Sequence, residues 1–207
     1  MNNYRLTLCL VAAALISGCA TLNKSECRKA DWETIGLEDG AKGHPLTYIG
    51  NHRKACAEYR VKPDLDQYRV GHQAGLTRFC TPDNGFKQGR AGRGYDNVCP
   101  AELEGQFLAG YDTGRELHEL KSEIDYMLRD AQTAKTEKTE LEKKLKNVET
   151  MLVSGVMSAS DRQALLDEFK KMQSRHATLE VYISDLDLGA ARMQGEYDVL
   201  NSSHGYY

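Results

Sequence analysis

The chain has 207 residues, with 27 Lys+Arg against 30 Asp+Glu and a net charge of −3. So small an acidic excess argues against a general nucleic-acid or anionic-surface binder, whose affinity rests on neutralising many phosphates. The charge is unevenly placed: residues 19–100 hold 13 basic and 10 acidic side chains, and residues 101–207 hold 13 and 20, so a mildly positive first part precedes a clearly acidic second.

Arg5 and then an apolar stretch over residues 6–16 have the charged-then-apolar build of a secretory signal, and the stretch is too short to span a bilayer. It runs into Leu15-Ile16-Ser17-Gly18-Cys19, which resembles the lipobox of bacterial lipoproteins. The resemblance implies cleavage before Cys19, diacylation of its thiol and acylation of the new amine. Residues 1–18 are therefore expected to be removed and 19–26 to form a lipidated tether. Two or three acyl chains anchor stably where one binds only marginally, each buried methylene adding ~0.8 kcal/mol. In that class an Asp after the cysteine marks inner-membrane retention. Ala20 stands here, so the expected address is the outer membrane, facing the periplasm.

With Cys9 in the signal and Cys19 lipidated, four cysteines remain: Cys27, Cys56, Cys80 and Cys99. An oxidising compartment favours two disulfides, and four cysteines allow three pairings. Zinc prefers close pairs such as C-x2-C; the intervals here are 29, 24 and 19 residues, so no metal and no cofactor are expected.

Residues 27–100 read as a small helical head. Helices are expected over about 25–42, 47–59 and 64–79, followed by a turn-rich loop over 81–98 in which Pro82-Asp83-Asn84-Gly85 is a turn signal. In an antiparallel pair of the first two helices Cys27 faces Cys56, and Cys80 and Cys99 bracket the loop, so the expected bridges are Cys27–Cys56 and Cys80–Cys99. Each contributes about 2–4 kcal/mol, which so small a head needs. One pattern recurs, a large aromatic followed by spaced glycines: Trp32…Gly36…Gly40, Tyr68…Gly71…Gly75, Phe86…Gly89…Gly92 and Phe107…Gly110…Gly114. Small residues four apart share one helix face and let another backbone approach, offsetting a helix cost of about 1 kcal/mol per glycine. The same pattern admits a second reading, a glycine-lined binding face flanked by Trp32, Tyr68, Phe86 and Tyr95.

The run Cys27-Arg28-x-Ala30-Asp31-Trp32-x2-Ile35-Gly36-x2-Asp39-Gly40, with Pro63-Asp64-x3-Tyr68-x2-Gly71-x3-Gly75-Leu76-x3-Cys80-x4-Gly85-Phe86-x2-Gly89-x2-Gly92-x2-Tyr95 and Cys99-Pro100, resembles domain-of-unknown-function family 2799 over about 27–120. The resemblance implies a proteobacterial lipoprotein with this head and a charged helical tail, and it brings no activity with it.

From residue 101 to 200 the chain reads as a long antiparallel coiled-coil hairpin with its turn at about 154–159, followed by a tail over 201–207. One heptad seam runs Leu117, Leu120, Ile124, Met127, Ala131, Ala134, Lys138, Leu141, Leu145, Val148, Leu152. The other runs Leu165, Phe169, Met172, His176, Leu179, Ile183, Leu186, Ala190, Met193, Tyr197, Leu200. Ser160 with Gln163 is the expected cap of the second helix. Lys138 and His176 break the seams and are expected to set register, Lys138 reaching toward Glu180; a pH-sensitive His176 is the alternative.

No catalytic constellation emerges. The candidates His44, His52, His72, Asp31, Asp39 and Asp64 form no known motif, with Asp31 and Asp39 expected to cap helices or pair with Arg28, Arg53 or Arg78. Gly89-x2-Gly92-x-Gly94 follows a turn rather than a strand and is no nucleotide loop. The expected protein is thus a mainly α, non-enzymatic lipoprotein of the cell envelope, a structural or adaptor component that binds a protein partner along its stalk. Peptidoglycan or glycan binding by the head is the alternative, and an unfamiliar hydrolase a remote one.

Overall fold

The computed structural model describes residues 21–203, and all regular secondary structure among them is helical. The expected signal sequence, Cys19 and residues 204–207 lie outside the described residues. Seven α-helices follow in order: α1 (Lys24–Arg28), α2 (Trp32–Ala41), α3 (Ile49–Ala57), α4 (Leu65–Phe79), α5 (Pro82–Arg90), α6 (Ala101–Val153) and α7 (Ala159–Ser203), with a short 3-10 turn, Leu46–Tyr48, before α3. They divide into two compact units, one of residues 21–89 and 93–112, the other of residues 90–92 and 113–203.

The first unit is built from two glycine-mediated helix pairs. In the first pair, α2 crosses α4: a Cβ on Gly36 would overlap the Tyr68 carbonyl oxygen, one on Gly71 the Glu33 carbonyl, one on Gly40 the His72 carbonyl and one on Gly75 the Leu37 carbonyl. Each glycine thus abuts the carbonyl three residues before its partner glycine, a reciprocal contact that only a missing side chain permits. The second pair repeats the device, with Gly85 on α5 against the Phe107 carbonyl and Gly110 on α6 against the Pro82 carbonyl. The aromatic residues fill the space beside each crossing. Trp32, Ile49 and Tyr68 surround the Cys27–Cys56 bridge, and Leu76, Phe79, Phe107 and Tyr111 surround Cys80–Cys99. Both bridges have ordinary spans, with Cα–Cα distances of 5.5 and 5.7 Å.

Several local expectations change. The helix expected over 25–42 breaks at residues 29–31, because Asp31 caps a new helix by accepting from the Glu33 and Thr34 amides. The loop expected over 81–98 contains α5: Pro82 stands at the first helical position, where its missing N–H is no loss, and the buried Gly85 faces α6 rather than turning the chain. The head does not end at residue 100, because Phe107 and Tyr111 on α6 complete its core. Of the tether expected over residues 19–26, residues 21–26 are described. From Thr21 onward the described segment is fixed: Leu22 packs on the first core, and Asn23 caps α1 in a capping box with Glu26.

The second unit is the hairpin. Every seam residue expected from the heptads is buried or partly buried, with Leu117, Ile124, Ala131, Leu179 and Ala190 among the most enclosed. The antiparallel register is visible in the pairs that flank the seam. Arg175 makes a bidentate pair with Glu137 at 2.7 and 2.8 Å, Tyr182 donates to Asp130 one heptad away, and Lys135 meets Asp187 at 2.9 Å. Exposed pairs of this kind contribute little energy but agree on one register. Ser158, not Ser160, caps α7, its hydroxyl accepting from the Asp161 amide at 3.1 Å. α7 runs through residues 201–203, which therefore belong to the helix and not to a tail.

The seam breaks behave as register devices. Lys138 reaches Glu180 at 3.4 Å and His176 meets Glu142 at 3.0 Å. A polar residue at such a position fixes alignment at the expense of stability. Lys138→Leu is accordingly expected to raise the hairpin's unfolding free energy by ~1–2 kcal/mol through added apolar burial, read as a later loss of helical circular dichroism on heating. An earlier loss would show that the ion pair outweighs the missing burial.

Candidate functional site

Two of the six acid–base candidates and one aromatic converge in the first unit. Asp39 on α2, His52 on α3 and Tyr68 on α4 are 5%, 4% and 0% exposed. His52 Nε2 lies 2.7 Å from Asp39 Oδ2, and the Tyr68 hydroxyl donates to the same oxygen at 2.8 Å. His52 Nδ1 meets the Thr21 hydroxyl at 2.9 Å. Facing a carboxylate, Nε2 carries the proton, so in the neutral ring Nδ1 accepts from Thr21. On the next turn of α4, buried His72 donates from Nε2 to the His44 carbonyl at 2.7 Å. The His44 ring stacks on Tyr48 with centroids 4.0 Å apart.

Burial pushes the Asp39 carboxyl up, but the hydrogen bonds from His52 and Tyr68, with the nearby imidazoles, outweigh it and hold the group below its usual range. Burial, and then the bond to Asp39, raises the Tyr68 phenol far above its usual range. The cluster thus holds an ionised carboxylate and a neutral phenol, which is what a buried charge requires to remain buried.

An Asp–His–hydroxyl chain has the order of a nucleophile-activating relay. Here the hydroxyl is that of Thr21, the imidazole is almost fully enclosed, and Tyr68 shares the carboxylate oxygen that orients it. What the geometry accomplishes is to cross-link α2, α3, α4 and the N-terminal segment. The remaining candidates are accounted for locally: Asp31 and Asp64 cap α2 and α4. Asp39 neither caps nor pairs with arginine, contrary to expectation.

The four aromatics of the alternative binding face are largely enclosed. Trp32, Tyr68 and Phe86 are core residues, and Tyr95 is half-buried with its hydroxyl engaged by the Cys99 amide and Glu104. Glycine contacts bring the helix backbones so close that the large neighbouring rings are the natural filling of the remaining space. Among the described residues no group of three or more His, Cys, Asp or Glu is arranged to hold a metal ion, and no helix is long and apolar enough to cross a membrane.

Two surface grooves do have the character of binding sites. On the hairpin, a groove of about 990 Å³ has a floor of Leu120, Met193, Val199 and Leu200 and a rim of Glu116, Glu119, Glu123 and Glu196, with Arg192 as its one cation. On the head, a groove of about 650 Å³ is lined by Arg53, Ala57, Arg60, Val61, Lys62 and Pro63. The sequence hinted at the first through the acidic excess of the second half. It gave no sign of the second, whose cations are scattered singly along the chain.

Residues 31–116 match the model of a family described as Protein of unknown function (DUF2799). The match begins at the cap of α2 and ends early in α6, so it takes in both glycine-mediated helix pairs and leaves out the hairpin. No curated protein and no solved structure matches the chain.

Proposed function

We propose that this is a lipid-anchored, periplasm-facing lipoprotein that serves as a structural or adaptor component of the cell envelope, its hairpin docking a second protein. The observation that carries the reading is the acid-rimmed apolar groove formed by α6 and α7. Val199, next to the partly buried Leu120, Met193 and Leu200, is 70% exposed, and four glutamates line the same groove. An amphipathic helix with basic flanks fits this chemistry: its apolar face covers the floor and its cations meet the rim. The hairpin also supplies reach, because residues 113–153 in α6 give an arm of roughly 60 Å at ~1.5 Å per residue. The anchoring half of the reading rests on the lipobox-like run ending at Cys19.

Photo-crosslinking in cells tests it. Probes at Glu119 and Val199 are expected to capture one and the same protein, and Glu116→Lys/Glu119→Lys/Glu123→Lys is expected to abolish the capture. Probes at Lys143 and Lys171, away from the groove, are expected to stay silent. Capture of glycan fragments at the head with a silent hairpin would replace the adaptor reading with wall binding.

A further inference from the structure

The basic groove on the head has three features in common with a ligand site. Its polar lining is wholly cationic, Arg53, Arg60 and Lys62, and none of the three has an ion-pair partner among the described residues. Its walls, Ala57, Val61 and Pro63, are apolar, so the cations are set against surface of low polarizability, where their field is less screened. And Arg60 adopts φ 57°, in the left-handed region, at the end of α3 where the Val61 amide closes back on the Cys56 carbonyl at 3.2 Å. That position normally belongs to glycine; retaining arginine there keeps a guanidinium at the groove against the backbone's preference.

The start of the described chain is held by the same helix, α3. Thr21 is bonded to His52, the neighbour of Arg53, and Cys27 is bridged to Cys56, the neighbour of Ala57. Leu22 and Val61 pack on the same core. The segment that leads back to Cys19 is thus held by the helix that supplies the groove.

We infer that this groove binds the phosphodiester headgroup of an anionic phospholipid, the cations taking the phosphate and the apolar walls the adjoining glycerol carbons. The inference rests on the proposed anchoring for its membrane, and it adds a second, electrostatic attachment that sets the head against the lipid surface. A free phosphate shares the ionic chemistry but has no use for Ala57, Val61 and Pro63, so the lipid is the occupant that fits the whole lining. The near balance of charge over the whole chain is no obstacle, because the attraction is local.

The test uses the full mature chain carrying Cys19→Ala, so that no acyl chain contributes. Cosedimentation is measured with vesicles of phosphatidylcholine alone and of phosphatidylcholine mixed with phosphatidylglycerol. Binding is expected only to the mixed vesicles. Arg60→Gly, which suits the backbone and so preserves the fold, should weaken it about fivefold, and Arg53→Gln/Arg60→Gly/Lys62→Gln by roughly a hundredfold, at the usual contribution of one basic side chain near an anionic surface. A control that removes three cations elsewhere on the head, Arg69→Gln/Arg78→Gln/Lys87→Gln, should change little. Equal loss in the control, or no loss in the groove variants, would overturn the site. Binding of inorganic phosphate at these residues without any preference for the mixed vesicles would overturn the lipid as ligand. Mass spectrometry of the unmodified chain reads acylation at Cys19 separately, so failure of the anchor and failure of the groove are distinguishable.

Discussion

Gly71→Ala is expected to unfold the first unit, while Gly105→Ala, the same chemical change on a neighbouring helix, is expected to stabilise the protein. A Cβ at Gly71 would run into the Glu33 carbonyl and lie 2.9 Å from the Leu37 amide nitrogen. All of these are backbone atoms of α2, so no side chain can turn aside to make room. Relief requires α2 and α4 to separate, which opens the contacts at Gly36, Gly40 and Gly75 together. Overpacking of a core typically costs about 1–3 kcal/mol; a backbone collision shared by four reciprocal contacts belongs at or above the upper end, about 3 kcal/mol or more. At Gly105 a Cβ meets nothing within 4 Å, and Ala gains up to ~1 kcal/mol of helix propensity. Trp32, the sole tryptophan, is buried beside the first crossing, so its fluorescence during urea unfolding reports this unit without interference from the long helices. A Gly71→Ala midpoint equal to that of the unaltered chain would show that the helices are not held at this separation.

The glycine spacing was the most informative local signal in the sequence, because a residue that costs helix stability at regular intervals must be offset by contact. It foretold close helix approach without saying which helices pair. That required knowing that Pro82-Asp83-Asn84-Gly85 begins a helix: local turn propensity favoured a bend there, and the packing of Gly85 on α6 overrode it. Gly85 and Gly89 are four apart, the spacing of the Gly36–Gly40 and Gly71–Gly75 pairs, and this was the available clue. The heptads were legible to the residue, since a seam interior to one hairpin depends on period alone. The choice between packing and a binding face for Trp32, Tyr68, Phe86 and Tyr95 was not legible, because a pattern of rings and glycines does not say on which side of the helix water lies. The Asp39–His52–Tyr68 cluster was not legible either: its members are 13 and 29 residues from Asp39 in sequence, on three helices, and nothing local ties them. Arg60 was hidden for another reason, as its importance lies in a backbone angle that an arginine ordinarily avoids.

Asp39 offers the second large effect, and its two substitutions separate the charge from the hydrogen bonds. Asp39→Ala leaves the His52 N–H and the Tyr68 hydroxyl buried without their acceptor, and is expected to cost ~3–5 kcal/mol, as for other broken buried polar pairs. Asp39→Asn retains an acceptor oxygen that both donors can reach, but the bonds lose their charge assistance, so a smaller loss of about 2 kcal/mol is expected. The pH dependence follows from the direction of the shift. The Asp39 carboxyl is held below its usual range in the folded protein, so its stabilising contribution is complete above the unfolded value, near 3.9, and is lost as pH falls through the folded value. The unaltered chain should therefore lose stability on acidification below about pH 4 by more than Asp39→Asn does, the two unfolding curves converging as the carboxyl takes up its proton. Urea midpoints read by Trp32 fluorescence, measured from neutral pH downward, make the comparison. Parallel curves with a constant gap would mean that the asparagine disturbs packing alone and that the carboxylate charge contributes nothing. Because the Thr21 hydroxyl depends on His52 presenting Nδ1 as an acceptor, loss of Asp39 should also loosen the N-terminal segment, seen as faster amide exchange at Leu22 and Asn23 than at the Asp64-capped start of α4.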